Sequence, residues 1–204
     1  MKFIVATKNS NKLAEIQRIL KPLNAEVISE NDLENPLFDV DENADTFEGN
    51  ALLKARAAVA ATGLPAIADD SGLCVDALNG APGIYSARYA GEGHNDKLNN
   101  EKLLNALKGV PKEKRTARFV CAVAVVFPDN REFTVRGTCE GYIANEACGN
   151  NGFGYDPLFI SEKGCFGLLD STEKDEISHR GNALKKMADM LRQAEINPNL
   201  FFKR

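Results

Sequence analysis

No basic tract, no long apolar run and no closely spaced cysteine pair interrupts these 204 residues. The first absence argues against a surface for polymeric nucleic acid, since 25 basic and 29 acidic side chains are mixed along the chain with a net charge of -4. A few local lysines would still hold a small anion. The second removes a membrane-spanning segment, and the opening MKFIVATKNSNK turns polar too early for a secretory signal, so a cytoplasmic location is expected. The third argues against a structural zinc site or a redox dithiol: Cys74, Cys121, Cys139, Cys148 and Cys165 are odd in number and read as buried or incidental thiols. Two catalytic signatures are missing as well. No glycine-rich run precedes a lysine as in the standard phosphate-binding loop, and no Gly-x-Ser-x-Gly elbow supports a Ser71, His179 and aspartate triad. Internal repeats and low-complexity linkers are also lacking.

A 44% hydrophobic content suffices for a sizeable core, in one α/β unit or two closely joined lobes. Phe3 to Ala6 reads as a buried strand, followed by a helix with Leu13, Ile16, Leu20 and Leu23 on one face. After a polar stretch from Asn31 to Asn43, Asp45 and Glu48 have capping-box spacing ahead of an alanine-rich helix ending near Gly63. Leu64 to Ala68 then reads as a strand that delivers Asp69, Asp70 and Ser71 into a turn at Gly72. The glycine-rich segment Asn79 to Gly93 reads as a loop or short irregular helix. A helix follows from Asp96 to Leu107. Arg118 to Phe127 is apolar on both alternating faces, as suits a central strand, and Asp129-Asn130 turns it into a hairpin with Glu132 to Arg136. A last helix is expected from Gly181 to Gln193, with Ser178, His179 and Arg180 at its approach.

Three constellations carry chemistry. In Thr7 to Lys12, hydroxyls, amides, an ammonium and helix-start N–H groups suit phosphate oxygens, although the same residues make ordinary caps. Glu42, Asp69 and Asp70, with Lys54 between them in sequence, supply hard oxygen ligands for magnesium bridged to substrate phosphates; exposed turn residues would look the same. The Asn150 to Asp156 loop with Ser178-His179-Arg180 suits a nucleobase, offering Phe153 as a stacking face and donors for the base edge, while a structural cap also accounts for His179.

Taken in order, ATKNSNKLAEI at 6–16, TFEGNALLKA at 46–55, AIADDSGLCVDALNGAPGIYSARYAG at 66–91, GFGYDPLF at 152–159 and ISHRGNAL at 177–184 closely resemble the inosine/xanthosine triphosphate pyrophosphatase family. The resemblance implies a single domain over 1–204, a two-lobed α/β fold with a long mixed central sheet flanked by helices, and a nucleotide cleft between the lobes. It implies a magnesium-dependent homodimer that cleaves the α–β phosphoanhydride of ITP, dITP and XTP, giving a nucleoside monophosphate and pyrophosphate. Residue by residue, it assigns Thr7, Asn9, Lys12, Lys54 and Ser71 to the triphosphate. Glu42 and Asp70 go to magnesium, with Asp70 and the adjacent Asp69 as the catalytic acids. Gly152, Phe153, Gly154, Tyr155, Asp156, Lys174, Ser178, His179 and Arg180 fall in the substrate and base pocket. The pattern departs from the family in GCFGLLDSTEKDE at 164–176, where Leu168 takes the place of a usual glutamate.

In the mechanism these residues suggest, the lysines offset phosphate charge and Asp70 orients or deprotonates the attacking water, with no covalent nucleophile. Arg180 and backbone donors would favour a purine 6-oxo acceptor over the amino donor of adenosine. A pyrophosphatase for modified pyrimidine nucleotides and a nucleotide sensor without turnover are the competing readings.

Overall fold

The computed structural model describes residues 2–21, 26–33, 40–91 and 95–196. Leu23, part of the polar stretch before Asn43 and the end of the Asn79 to Gly93 segment lie outside the described residues. The strands are β1 (Lys2–Val5), β2 (Glu26–Ser29), β3 (Ala66–Val75), β4 (Thr116–Val126), β5 (Glu132–Ile143), β6 (Phe159–Ser161) and β7 (Gly164–Cys165). The helices are α1 (Ser10–Leu20), α2 (Phe47–Thr62), α3 (Asp96–Ala106), α4 (Ser171–Ile177) and α5 (His179–Ile196).

The strands form a mixed sheet in the order β2-β1-β3-β4-β5-β6-β7. β1 runs parallel to β2 and β3, whereas β6 runs antiparallel to β5 and β7. The chain divides into two compact units, the first comprising residues 1–70, 121–137 and 180–204, the second 71–120 and 138–179.

In the first unit, strand alternation sorts the core onto two faces. Phe3, Val5, Ile67, Cys121, Val123 and Val125 pack with Ile16 and Leu20 of α1 and with Ala183, Leu184 and Met187 of α5. Their neighbours in the strands, Ile4, Ala66, Ala68, Ala124 and Val126, instead meet Ala51, Ala55 and Ala58 of α2. Such small side chains let α2 lie close to the sheet. Its N-cap is Thr46, whose side chain accepts from the Gly49 N–H, rather than the expected Asp45 with Glu48; Glu48 pairs with Arg136 instead. The end is as expected, with Gly63 in the left-handed region at φ 67°.

The expected turn at Gly72 is absent. β3 continues without a break through Asp69, Asp70, Ser71 and Gly72 to Val75. Two buried acids persist in mid-strand because each has polar partners, described below, and because Leu73 and Val75 resume the apolar pattern in the second unit.

In that second unit, Leu73 and Val75 pack with Leu103, Leu107, Phe119, Ile143, Leu158, Phe159 and Phe166. α3 begins at the expected residue, capped by Asn95. The hairpin at Asp129-Asn130 also forms, Asn130 taking a left-handed φ of 68°, but β5 runs to Ile143 rather than Arg136. α4 was not expected; its capping box of Asp170 and Glu173 makes the start explicit. α5 begins at His179, so His179 and Arg180 are inside the helix rather than ahead of it.

The cysteine expectation needs correction. Cys148 and Cys165 form a disulfide, while Cys74, Cys121 and Cys139 are free. Seventeen residues separate the pair, so spacing did not betray it.

Candidate active site

The acid and lysine residues of the first unit fall into two buried groups on opposite faces of β3, because adjacent strand residues point to opposite sides of a sheet. Asp70 shares the face of Ala66 and Ala68, toward α2. There its Oδ2 accepts from Asn50 Nδ2 at 3.0 Å, and Asn50 Oδ1 accepts from the Ala44 N–H at 3.0 Å. Lys54, one helical turn after Asn50, lies on the same side of α2 and pairs with Glu42 Oε1 at 2.6 Å. Burial is the main force on Asp70 and holds its carboxyl above the ordinary range, aided by the nearby Glu42 charge and opposed by Lys54 and Lys12. Burial works against the Lys54 ammonium too, but Asp70, Asp69 and Glu42 outweigh it and raise its affinity for the proton. This face therefore holds an acid with enhanced basicity beside a firmly charged lysine.

Asp69 faces the other way, with Ile67, toward α1 and α5. Its Oδ2 takes Lys12 Nζ at 3.2 Å and Arg180 Nη2 at 3.0 Å. Burial opposes its charge, yet Lys12, Arg180 and Lys54 prevail and hold the carboxyl far below the usual range. Cys121, beside it, is buried and pushed up to about 12, and stays a thiol. Asn9 caps α1, accepting from the Asn11 and Lys12 N–H groups, and Thr7 accepts from the Asn9 N–H.

Arg180, expected to read the base, is paired with carboxylates in this structure. Its side chain is 1% exposed, with Nε and Nη2 on Asp69 and Nη1 on Glu15, so in this arrangement the guanidinium is committed to two carboxylates. Ionic demand explains this: the fully buried carboxylate of Asp69 needs a compensating cation.

The second unit collects the expected base-pocket residues other than Arg180. Gly152 takes a left-handed φ of 76°, and a Cβ there would lie 2.0 Å from Asp156 Oδ2. Asp156 accepts from the Phe153 N–H at 2.8 Å and from Lys174 Nζ at 2.7 Å. Lys174 lies 4.8 Å from the centre of the Phe153 ring, an aromatic face with a cation over it. Gly154 donates its N–H to Asp96 at 2.7 Å, and the Tyr155 hydroxyl donates to the Ser86 carbonyl at 2.8 Å, which makes these two anchors of the loop. Ser178 is buried and ends α4, its N–H donating to the Lys174 carbonyl, while the His179 ring stacks on Phe119 at 4.6 Å. Ser71, half-buried, follows Asp70 directly on β3.

Two participants escaped the sequence reading. Asn50 and Glu15 are both buried polar residues on otherwise apolar helix faces, at spacings of four from Lys54 and three from Lys12. A polar residue that breaks an apolar stripe one turn from a functional lysine was the available signal. Among the described residues, no group of three or more His, Cys, Asp or Glu gathers as a metal nest.

An α/β sheet that presents a basic carboxylate and a charged lysine on one face, and a capped helix start with a second lysine on the other, defines a protein equipped for phosphate chemistry. The chain belongs to the Ham1 family, which it matches over residues 3–190. It is 50% identical over 200 residues to a dITP/XTP pyrophosphatase of Desulforamulus reducens, covering 97% of this chain and 98% of that protein. Among solved structures, the Staphylococcus aureus Ham1 protein has a TM-score of 0.84 and 43% identity, covering 95% of this chain and 99% of that one. A HAM1 protein from Coxiella burnetii gives 0.85 and 41%, covering 95% of this chain and 100% of its own.

Proposed function

We propose that this chain hydrolyses non-canonical purine nucleoside triphosphates, those of inosine, deoxyinosine and xanthosine, between the α and β phosphates. The observation that carries the reading is the Asp70, Asn50, Lys54 and Glu42 group, in a chain half identical to a dITP/XTP pyrophosphatase over nearly its whole length.

The donor set fits magnesium. Glu42 and Asp70 are hard oxygen donors whose mutual repulsion a cation relieves, and magnesium commonly takes only one or two carboxylates, completing its shell with waters and substrate phosphates. When bound, the ion offsets phosphate charge and polarises the phosphoryl oxygen. Lys12 and Lys54 bind phosphate oxygens, Thr7, Asn9 and Ser71 adding polar contacts. Asp70, its proton affinity raised by burial and its carboxylate held by Asn50, orients the attacking water and takes its proton. The water oxygen bonds to phosphorus as the bridging oxygen departs with pyrophosphate, leaving the nucleoside monophosphate.

Base selection rests with the loop from Gly152 to Asp156, with Ser178 and His179. Phe153 supplies the stacking face. Lys174, held over it by Asp156, donates to an oxo group and meets only another donor on an adenine amino group. Arg180 we assign to Asp69 rather than to the base. The active form is a cytoplasmic homodimer.

Chromatography of the products checks the reaction: inosine triphosphate should yield the monophosphate and pyrophosphate. Inosine diphosphate with orthophosphate as the main products would overturn it.

A further inference from the structure

Three ion pairs link Lys12, Asp69, Arg180 and Glu15 into a ring that the backbone of α1 closes. Lys12 Nζ meets Asp69 Oδ2 of β3, the same oxygen takes Arg180 Nη2 of α5, and Arg180 Nη1 meets Glu15 Oε2, which returns to α1 three residues after Lys12. The charges balance at two of each sign. Exposure is graded: the side chains of Asp69, Arg180 and Glu15 are 0%, 1% and 8% exposed, against 18% for Lys12. Only Lys12 in the ring offers its cation an appreciable path to an outside ligand.

We propose that Glu15 is a positioning residue for triphosphate binding, acting through Arg180 and Asp69 to set where the Lys12 ammonium stands. One oxygen of Asp69 is shared between the lysine and the guanidinium, so the direction of approach of Arg180 decides what is left for Lys12. That direction is held from the far edge of the planar fork by Glu15. With the glutamate charge gone, the guanidinium is left in the core with a weakened partner and turns further onto Asp69, drawing the carboxylate from the lysine. Glu15 thus acts on substrate without touching it, and the buried pairing of Arg180 gains a purpose beyond stapling α1 to α5.

The inference rests on Lys12 binding phosphate, and a double-mutant cycle separates the two ideas. Inosine triphosphate binding is measured by calorimetry without magnesium, and kcat and KM with it, in wild type, Glu15→Gln, Lys12→Ala and the double variant. Glu15→Gln should weaken binding and raise KM roughly tenfold, the scale of one charged hydrogen bond, with kcat little changed. Glu15→Asp should recover part of the loss. In the Lys12→Ala background, Glu15→Gln should add nothing. An equal loss in both backgrounds, or unchanged binding in a folded Glu15→Gln protein, overturns the proposal, since a simple staple would act independently of Lys12. Should Glu15→Gln fail to fold, Arg180→Lys, which keeps a cation for Asp69 but loses the fork to Glu15, carries the same expectation. Wild-type binding by Lys12→Ala would overturn the phosphate reading of that lysine itself, and this proposal with it.

Discussion

Asp69 and Asp70 are chemically identical neighbours with opposite fates. Burial dominates at Asp70 and raises its proton affinity, whereas at Asp69 the cations overcome burial and lower it. A carboxyl raised in the folded state favours folding while it is protonated and loses that contribution as pH rises through its folded pKa; a lowered one contributes above its unfolded pKa and loses this as pH falls. Asp70→Asn, without magnesium, should therefore melt higher than wild type at pH 7, the gap closing toward about pH 4, where the free carboxyl is itself protonated. Asp69→Asn should melt lower at pH 7, because it leaves Arg180 and Lys12 short of a buried anion, at a cost of about 3–5 kcal/mol. Turnover should fall by about 10²–10⁴ in Asp70→Asn, the usual worth of a general base. Calorimetric melting across pH and initial rates check each arm. Near-native turnover of folded Asp70→Asn at saturating magnesium would remove it from the centre of the reaction. The division of labour was not legible in the dipeptide. It follows from β3 running through both acids, where sequence reading placed a turn at Gly72.

At the scale of elements, legibility followed apolar pattern. β1, α1, α3 and β4 stood where periodicity put them because their buried faces dictate it. What failed was polar: the cap of α2 fell on Thr46, and α4, short and charged, left little apolar trace. The disulfide failed for a related reason, since only tertiary folding brings Cys148 and Cys165 together. Around it the two segments approach closely: the Asn151 N–H donates to the Gly167 carbonyl at 2.9 Å, and a Cβ on Gly149 would sit 1.9 Å from that same oxygen. Closing a loop of this length stabilises a fold by about 3 kcal/mol through the unfolded chain. Reduction, or joint replacement of both cysteines by serine, should lower Tm by roughly 6–12 °C in a chain of this size. An unchanged melting temperature in the double serine variant, with the bond shown intact in wild type by thiol counting, would deny it any stabilising part.

The whole molecule carries net charge -4, yet its substrate class is polyanionic. Each lysine assigned to phosphate is already paired, Lys12 with Asp69 and Lys54 with Glu42, so these cations are pre-placed beside their counter-charges. Among the described residues the large exposed hydrophobic side chains are Tyr85, Leu98 and Leu168, and all three belong to the second unit. A symmetric pair buries the same surface on both protomers, and the twofold pair is the commonest soluble oligomer. Light scattering across micromolar concentrations should return twice the 22.2 kDa chain mass. Tyr85→Asp combined with Leu168→Asp should shift that mass toward the monomer. A monomeric wild type would reject the dimer, and a double variant that remains fully dimeric would move the interface away from these side chains.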